Sequence, residues 1–266
     1  MNPGETFEND CFNFLKNHFK NNHIHFEHKG GMDSTLSDIQ VSDSTGKNYF
    51  YIEAKSPSSQ SGQFVLFADE NTSSFIYSSK NKTPINHSTH LIIEYMNENF
   101  SKFLNANTSG VSIDLPEKVI TNWIIDYYNN KNVKFFITKN KEFIIFPTEK
   151  LAEYFFVHAT FRTKKSGSSK ANKKDIEKIK DLFPNIIICK DSKNHFGVDK
   201  KSPNYKMNFK IENFSYILKE SSPNFLEIRK LSNTKNRNVI FSLKLKKDQE
   251  QEDLDTFKNY LSQLSK

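Results

Sequence analysis

The chain has 266 residues, with 38 Lys+Arg against 31 Asp+Glu for a formal net charge of +7, and 14% aromatic residues including 25 Phe and 10 Tyr. So many large rings exclude a disordered chain, and the length fits one large domain or two to three small ones. No apolar run approaches the ~18 residues that span a bilayer, the first residues lack the order of a signal peptide, and two cysteines, Cys11 and Cys189, make neither a disulfide framework nor a zinc cluster; the expected setting is a reducing bacterial cytoplasm.

Phe7, Cys11, Phe12, Phe14, Leu15 and Phe19 recur at helical spacing, so the first element is an amphipathic helix with Thr6 as its N-cap. Gly30-Gly31 breaks the chain. A short strand follows over Ser37–Ser42, then turn chemistry at Ser44–Asn48, then a strand over Asn48–Lys55. Phe64–Phe67 is another apolar run. Helices are expected over Leu91–Phe103 and Pro116–Tyr128, a hairpin over Lys134–Thr138 and Glu142–Pro147, and a short helix over Glu149–Phe156. Lys164–Lys174 reads as a basic, Gly/Ser-bearing loop. Asp175–Leu182 reads as a helix, strands follow near Ile186–Cys189, Asn208–Ile211, Phe225–Ile228 and Val239–Leu245, and the tail from Asp253 is helical. Helices and strands without strict alternation argue a mixed α+β or α/β chain.

Charge is unevenly placed. Residues 150–247 hold 23 Lys+Arg and 9 Asp+Glu, while the rest hold 15 and 22. A basic part joined to a mildly acidic one suits a protein that grips a polyanion with one and keeps carboxylates for chemistry in the other. Surplus surface lysine serving solubility gives the same balance.

One group of residues carries chemistry. Asp38 lies at the start of one expected strand, and after fourteen intervening residues comes Glu53-Ala54-Lys55 on the next. A turn between the two strands would set Asp38 beside Glu53, and Glu53 and Lys55, two apart, share a strand face. Two carboxylates suit a hard divalent cation, and Mg²⁺ is usually held by one or two of them. The lysine would position or deprotonate water and offset phosphate charge. A solvated strand with an ordinary Glu–Lys alternation produces the same triplet. The Asp at hairpin distance, Glu8 on the preceding helix as an auxiliary acid and the basic C-terminal half favour the catalytic reading.

Ser37-Asp38…Glu53-Ala54-Lys55 resembles the PD-(D/E)XK nuclease signature, with Ser in place of Pro. The stretches Asp33–Ile39, Phe50–Lys55, Ser59–Leu66, Val133–Thr138, Phe143–Pro147, Arg162–Ser168, Leu231–Thr234 and Asn238–Ser242 are similar, in the same order, to the HhaI-type restriction endonucleases. The likeness runs from the first helix to about Lys246. It is poor in the final helix and from Asn172 to about Leu226, and the gap between Asp38 and Glu53 is longer here. The resemblance implies a PD-(D/E)XK core, a mixed sheet flanked by helices, in residues 1–150, and a basic α+β region for DNA recognition and non-specific DNA binding in 151–266. It implies a type II enzyme that cuts double-stranded DNA at GCGC, as GCG/C, with Mg²⁺ or Mn²⁺ in its place. It also implies a monomer that nicks one strand and then the other, and a cognate DNA methyltransferase as functional partner without a stable complex. A structure-specific repair or recombination nuclease of the same superfamily, and a DNA-binding module with a dead site, are the alternatives.

On matching positions, Asp38 and Glu53 would hold the metal with the Ala54 backbone carbonyl, Lys55 would be the catalytic lysine, and Gln63 and Gln60 fall beside the site, Gln63 toward catalysis and Gln60 toward DNA. Arg162, Lys164 and Lys165 supply donors of the kind that read guanine O6 and N7. Ser166 and Ser168 with Gly167 would permit close backbone approach, and Asn233, Asn236 and Asn238 could add polar contacts. Lysines 170, 173 and 174 are assigned to phosphate or solvent. His18, His23, His25 and His28 lack zinc-ligand spacing. Trp123, Tyr127 and Tyr128 are assigned to the core, and Cys11 to a buried, inert thiol.

Overall fold

A computed structural model describes residues 3–19, 22–30, 37–165, 167–201 and 209–264. Gly31, residues 33–36, Ser166 and Asn208, all singled out in the sequence, lie outside the described residues, as does the side chain of Lys165.

Helix α1 (Pro3–His18) begins three residues before Thr6, with Pro3 in the first turn, so Thr6 lies inside the helix and is not its N-cap. Strands β1 (His25–His28), β2 (Ile39–Ser42) and β3 (Asn48–Ala54) form an antiparallel meander. Its second turn is closed by Asp43, whose carboxylate accepts from Thr45 N–H at 2.8 Å and Lys47 N–H at 2.9 Å, with Gly46 at φ 86°. From β3 the chain leaves for a long excursion: β4 (Ser58–Asp69), β5 (Ser74–Tyr77), α2 (His87–Glu98), α3 (Phe100–Leu104), β6 (Val111–Ser112) and α4 (Glu117–Asn129). The expected helix over Leu91–Phe103 is thus two helices. The first starts at His87, where Asn86 accepts from Thr89 N–H, and it ends at Asn99. The chain returns as β7 (Val133–Lys139), parallel to β3, and turns into β8 (Phe143–Pro147), giving a mixed sheet ordered β1-β2-β3-β7-β8.

Alternation along β3 decides what each face meets. Phe50, Ile52 and Ala54 lie in the core that includes Cys11 and Leu15 of α1. Tyr51, one step out of phase, packs into the larger core with Trp123, Ile124 and Tyr128 of α4. A 3-10 turn and α5 (Leu151–Tyr154) lead into β9 (Phe155–Lys165), so the short helix expected to reach Phe156 ends at Tyr154.

The chain then builds a second compact unit, Thr163–Arg237, and returns to the first, Met1–Arg162 with Asn238–Lys266. In the second unit β10 (Ser168–Lys170) is followed by α6 (Lys173–Leu182), β11 (Ile188–Lys190), β12 (Phe196–Asp199), β13 (Phe209–Ile211), β14 (Phe214–Ser222) and β15 (Phe225–Leu231). The sheet runs β11-β12-β15-β14-β13, with β10 also on β15. Its core holds Ile176 and Ile179 of α6 with Val198, Ile211, Tyr216 and Ile228. Buried Asp175 ties helix to sheet, closing a capping box with Asn172 and accepting from Tyr216 Oη at 2.6 Å and Lys230 Nζ at 3.0 Å. The expected loop over Lys164–Lys174 is therefore the end of β9, β10 and the start of α6.

Strand β16 (Lys235–Leu245) re-enters the first unit between β4 and β9, completing a sheet ordered β5-β4-β16-β9-β6. Helix α7 (Gln251–Leu264) follows, and its Phe257 and Leu261 join the α1 side of the first sheet. The division expected at residue 150 is thus displaced. Residues 151–162 and 238–266 belong to the first unit because β9 and β16 are interior strands of its second sheet and α7 packs on its first. The basic surplus concentrates in Thr163–Arg237, with 18 Lys+Arg against 8 Asp+Glu. Among the described residues no helix is long and apolar enough to cross a membrane.

Candidate active site

The β2–β3 register pairs Ile39 with Ile52, so the next residues outward, Asp38 and Glu53, come together at one end of the hairpin. The longer turn at Asp43–Lys47 sits at the other end, away from the carboxylates. Asp38 is fixed from both sides: its carboxylate accepts from Ala54 N–H at 2.9 Å, and its carbonyl accepts from Lys29 N–H at 2.8 Å and Gly30 N–H at 3.1 Å. A Cβ at Gly30 would run into the Glu8 carboxylate and the His28 ring, so glycine permits this approach. Ser37, where the signature has proline, is buried.

Glu53 is 5% exposed and shares the β3 face of Tyr51, toward α4. Lys55 Nζ donates to its Oε1 at 2.5 Å, and Tyr128 Oη donates to the same oxygen at 3.0 Å. Ser61 of β4 donates to Tyr128 Oη at 3.2 Å. The Lys55 ammonium also lies 5.8 Å from the centre of the Tyr128 ring. Asp38, Glu53 and Lys55 are thus brought together. Glu8 of α1 is near, its Oε2 3.5 Å from His28 Nε2.

The electrostatics are those of a carboxylate cluster short of positive charge. Burial, then the charge of Glu53, push Asp38 up to about 8; Lys55 pulls it down and Glu8 adds to the rise. Burial alone would lower the Lys55 ammonium, but Glu53, Tyr128 and Asp38 outweigh it and hold its pKa well above the ordinary value. Lys55 is therefore held as a cation here by its carboxylate neighbours. A pocket that takes up a proton near neutrality to relieve two adjacent carboxylates has the donor chemistry for a hard dication. In a strand a residue's C=O shares an edge with its N–H, so the Ala54 carbonyl lies on the Asp38 side and could complete the donor set. Among the described residues no group of three or more His, Cys, Asp or Glu side chains is placed to hold a metal ion.

The other sequence candidates fall elsewhere. Gln60 and Gln63 are exposed on β4 and bond none of the three central residues among the described contacts. Arg162 is half-buried in β9 with its Nε unpaired by any described hydrogen bond, and Lys164 is exposed. Ser168 is engaged by Arg229, through Nε to its hydroxyl at 3.2 Å and through Nη2 to its carbonyl at 2.5 Å. Asn233 is exposed beside Ser232, whose N–H donates to the Gly167 carbonyl at 3.0 Å, Asn236 is half-buried, and Asn238 is buried with an unpaired amide oxygen. Burial pushes the Cys11 thiol up, as expected of an inert thiol. Tyr128, a core residue by its helix periodicity, is buried, but its hydroxyl reaches the central carboxylate, a contact between residues 75 apart that helix periodicity cannot reveal.

No family model matches the chain, and no curated protein matches it. Among solved structures it is similar to HhaI endonuclease in complex with DNA, at TM-score 0.81 and 38% identity, over 100% of this chain and 99% of that one. The match includes residues 172–226 and α7, where the sequence showed little likeness. Similarity at this level of identity, carried end to end through both compact units, is one of family and not of fold alone; the chain belongs to the HhaI family of type II site-specific endonucleases.

Proposed function

We propose that this enzyme hydrolyses phosphodiester bonds of double-stranded DNA at GCGC, with Mg²⁺ as cofactor and Mn²⁺ as a substitute, acting as a monomer. The observation that carries the reading is the register that sets Asp38 against Glu53 with Lys55 on the same face as Glu53. Asp38, Glu53 and the Ala54 carbonyl would hold the cation. When bound, the metal supplies stabilisation of charge developing on the phosphate and a more acidic water. Lys55, kept as an ammonium by its carboxylate neighbours, would offset negative charge on the scissile phosphate and position the attacking water. Gln63 stays a candidate for the substrate side of catalysis, and Gln60, Arg162, Lys164, Lys165, Ser166, Ser168, Asn233, Asn236 and Asn238 for DNA contact. The basic Thr163–Arg237 unit supports phosphate binding by charge. A cognate methyltransferase would protect the host sequence without forming a complex, and the bacterial cytoplasm is the setting in which both would act.

Digestion of unmethylated and cytosine-methylated plasmid with Mg²⁺, followed by end sequencing, tests the reading. Ends confined to GCGC support it. Cleavage governed by junctions or mismatches, with no preferred sequence, favours the repair-nuclease alternative.

A further inference from the structure

Buried Glu53 is held by more than Lys55: the second support is Tyr128 of α4, itself backed by β4 of the other sheet of the same unit. Strand β4 does not alternate regularly past Ser61: both Ser61 and Phe64 are buried, while Gln60 and Gln63 are exposed. The break falls at Gly62, whose φ is 90° and whose missing Cβ would lie 2.8 Å from the Trp123 ring. Trp123 is itself fixed, donating from Nε1 to Thr89 Oγ1 at 3.0 Å and stacking on Phe241 at 3.9 Å. The glycine thus turns the Ser61 hydroxyl inward, where it donates to Tyr128 Oη, and leaves Tyr128 its own proton to give to Glu53. Lys55 and Tyr128 both bond Oε1, and neither uses Oε2.

Resting on the nuclease reading above, we propose that Tyr128, itself oriented by Ser61, is a positioning residue that locks the Glu53 carboxylate with Oε1 on the protein and Oε2 turned to the cation. A tyrosine needed only to fill the core would be replaced by phenylalanine without consequence for the metal. A partner that orients a metal-binding carboxylate costs roughly 10–100-fold in metal affinity or activity when removed.

The test uses the full-length protein and Mn²⁺ as probe, with binding followed by calorimetry on an uncleavable duplex. Tyr128→Phe is expected to weaken Mn²⁺ about tenfold or more and to slow single-turnover cleavage comparably, with the duplex dissociation constant and the melting temperature close to wild type. Ser61→Ala is expected to give a smaller, few-fold loss that vanishes when added to Tyr128→Phe, because both act through one hydroxyl. Tyr128→Phe is likewise expected to add nothing in a Glu53→Gln background. Unchanged Mn²⁺ affinity in Tyr128→Phe overturns the proposal, as does an equal loss in the Glu53→Gln background. If Tyr128→Phe does not fold, Ser61→Ala decides: wild-type Mn²⁺ affinity there overturns it. If the wild type binds Mn²⁺ but cuts no duplex, the nuclease reading fails and the Mn²⁺ comparison still settles the role of Tyr128.

Discussion

Asp38→Asn should stabilise the metal-free protein, and more so as the pH rises. The Asp38 carboxyl is buried beside Glu53 and its pKa is lifted from 3.8 to about 8. Between those two values the folded protein holds a proton that the unfolded chain releases. The unfolded state then binds fewer protons, so stability falls as pH rises through this window and the loss is complete above about 8. Each tenfold change in proton affinity is worth about 1.36 kcal/mol, so the ceiling on the cost at pH 8.5 is about 6 kcal/mol, and sharing of the proton with Glu53 reduces it to a few kcal/mol. Asparagine carries no charge and keeps an oxygen to accept from Ala54 N–H. Urea unfolding in EDTA at pH 6.0 and 8.5 reads the effect. The wild type should lose stability between the two pH values, Asp38→Asn should lose much less, and Mg²⁺ should restore the wild type alone. Parallel pH dependence in both proteins would refute the electrostatic reasoning.

Lys55→Ala should abolish cleavage, and because it strands buried carboxylates it should also cost about 3–5 kcal/mol of stability at pH 8 in EDTA, measured by the same unfolding. Gly62→Ala should destabilise by about 1–3 kcal/mol, since it puts a side chain at positive φ and against the Trp123 ring, and should weaken Mn²⁺ binding through Ser61, read by melting and calorimetry. Arg162→Ala and Lys164→Ala should weaken binding to a GCGC duplex, and if either makes a bidentate guanine contact, it should lose about 1–3 kcal/mol more on GCGC than on a scrambled duplex; equal losses in fluorescence titrations with both duplexes would reduce these residues to phosphate contacts.

The Asp38–Glu53–Lys55 cluster is legible in the chain because its geometry is local. A hairpin brings Asp38 and Glu53 together, and period-two alternation puts Lys55 on the same face as Glu53. The contacts of Tyr128 and Ser61 are hidden because they join β4 to α4 and α4 to β3 over 67 and 75 residues of chain. An apolar helix carrying a tyrosine looks the same whether its hydroxyl meets solvent or a buried carboxylate. The segment Lys164–Lys174 has the composition of a loop, yet β10 is held by β15 from some 60 residues away, a tertiary override of local preference. Strand β14, FSYILKESS, is largely exposed and polar at its end, and its sequence predicts no strand there. The unit boundary falls away from residue 150 because charge marks the inserted Thr163–Arg237 unit, while β9 and β16, which flank it, pair with each other in the first unit and carry no sign of that pairing in their own residues.

The central claim is that one Asp38–Glu53–Lys55 set cuts duplex DNA at GCGC, one strand at a time. A time course on supercoiled plasmid bearing a single GCGC site, with Mg²⁺ and enzyme below plasmid concentration, tests it most directly when the ends are sequenced and Glu53→Gln is run beside the wild type. An open-circular intermediate is expected, then linear DNA with both ends in GCGC, and no product from Glu53→Gln. Linear DNA without a nicked intermediate, ends outside GCGC, or undiminished cutting by Glu53→Gln would contradict it.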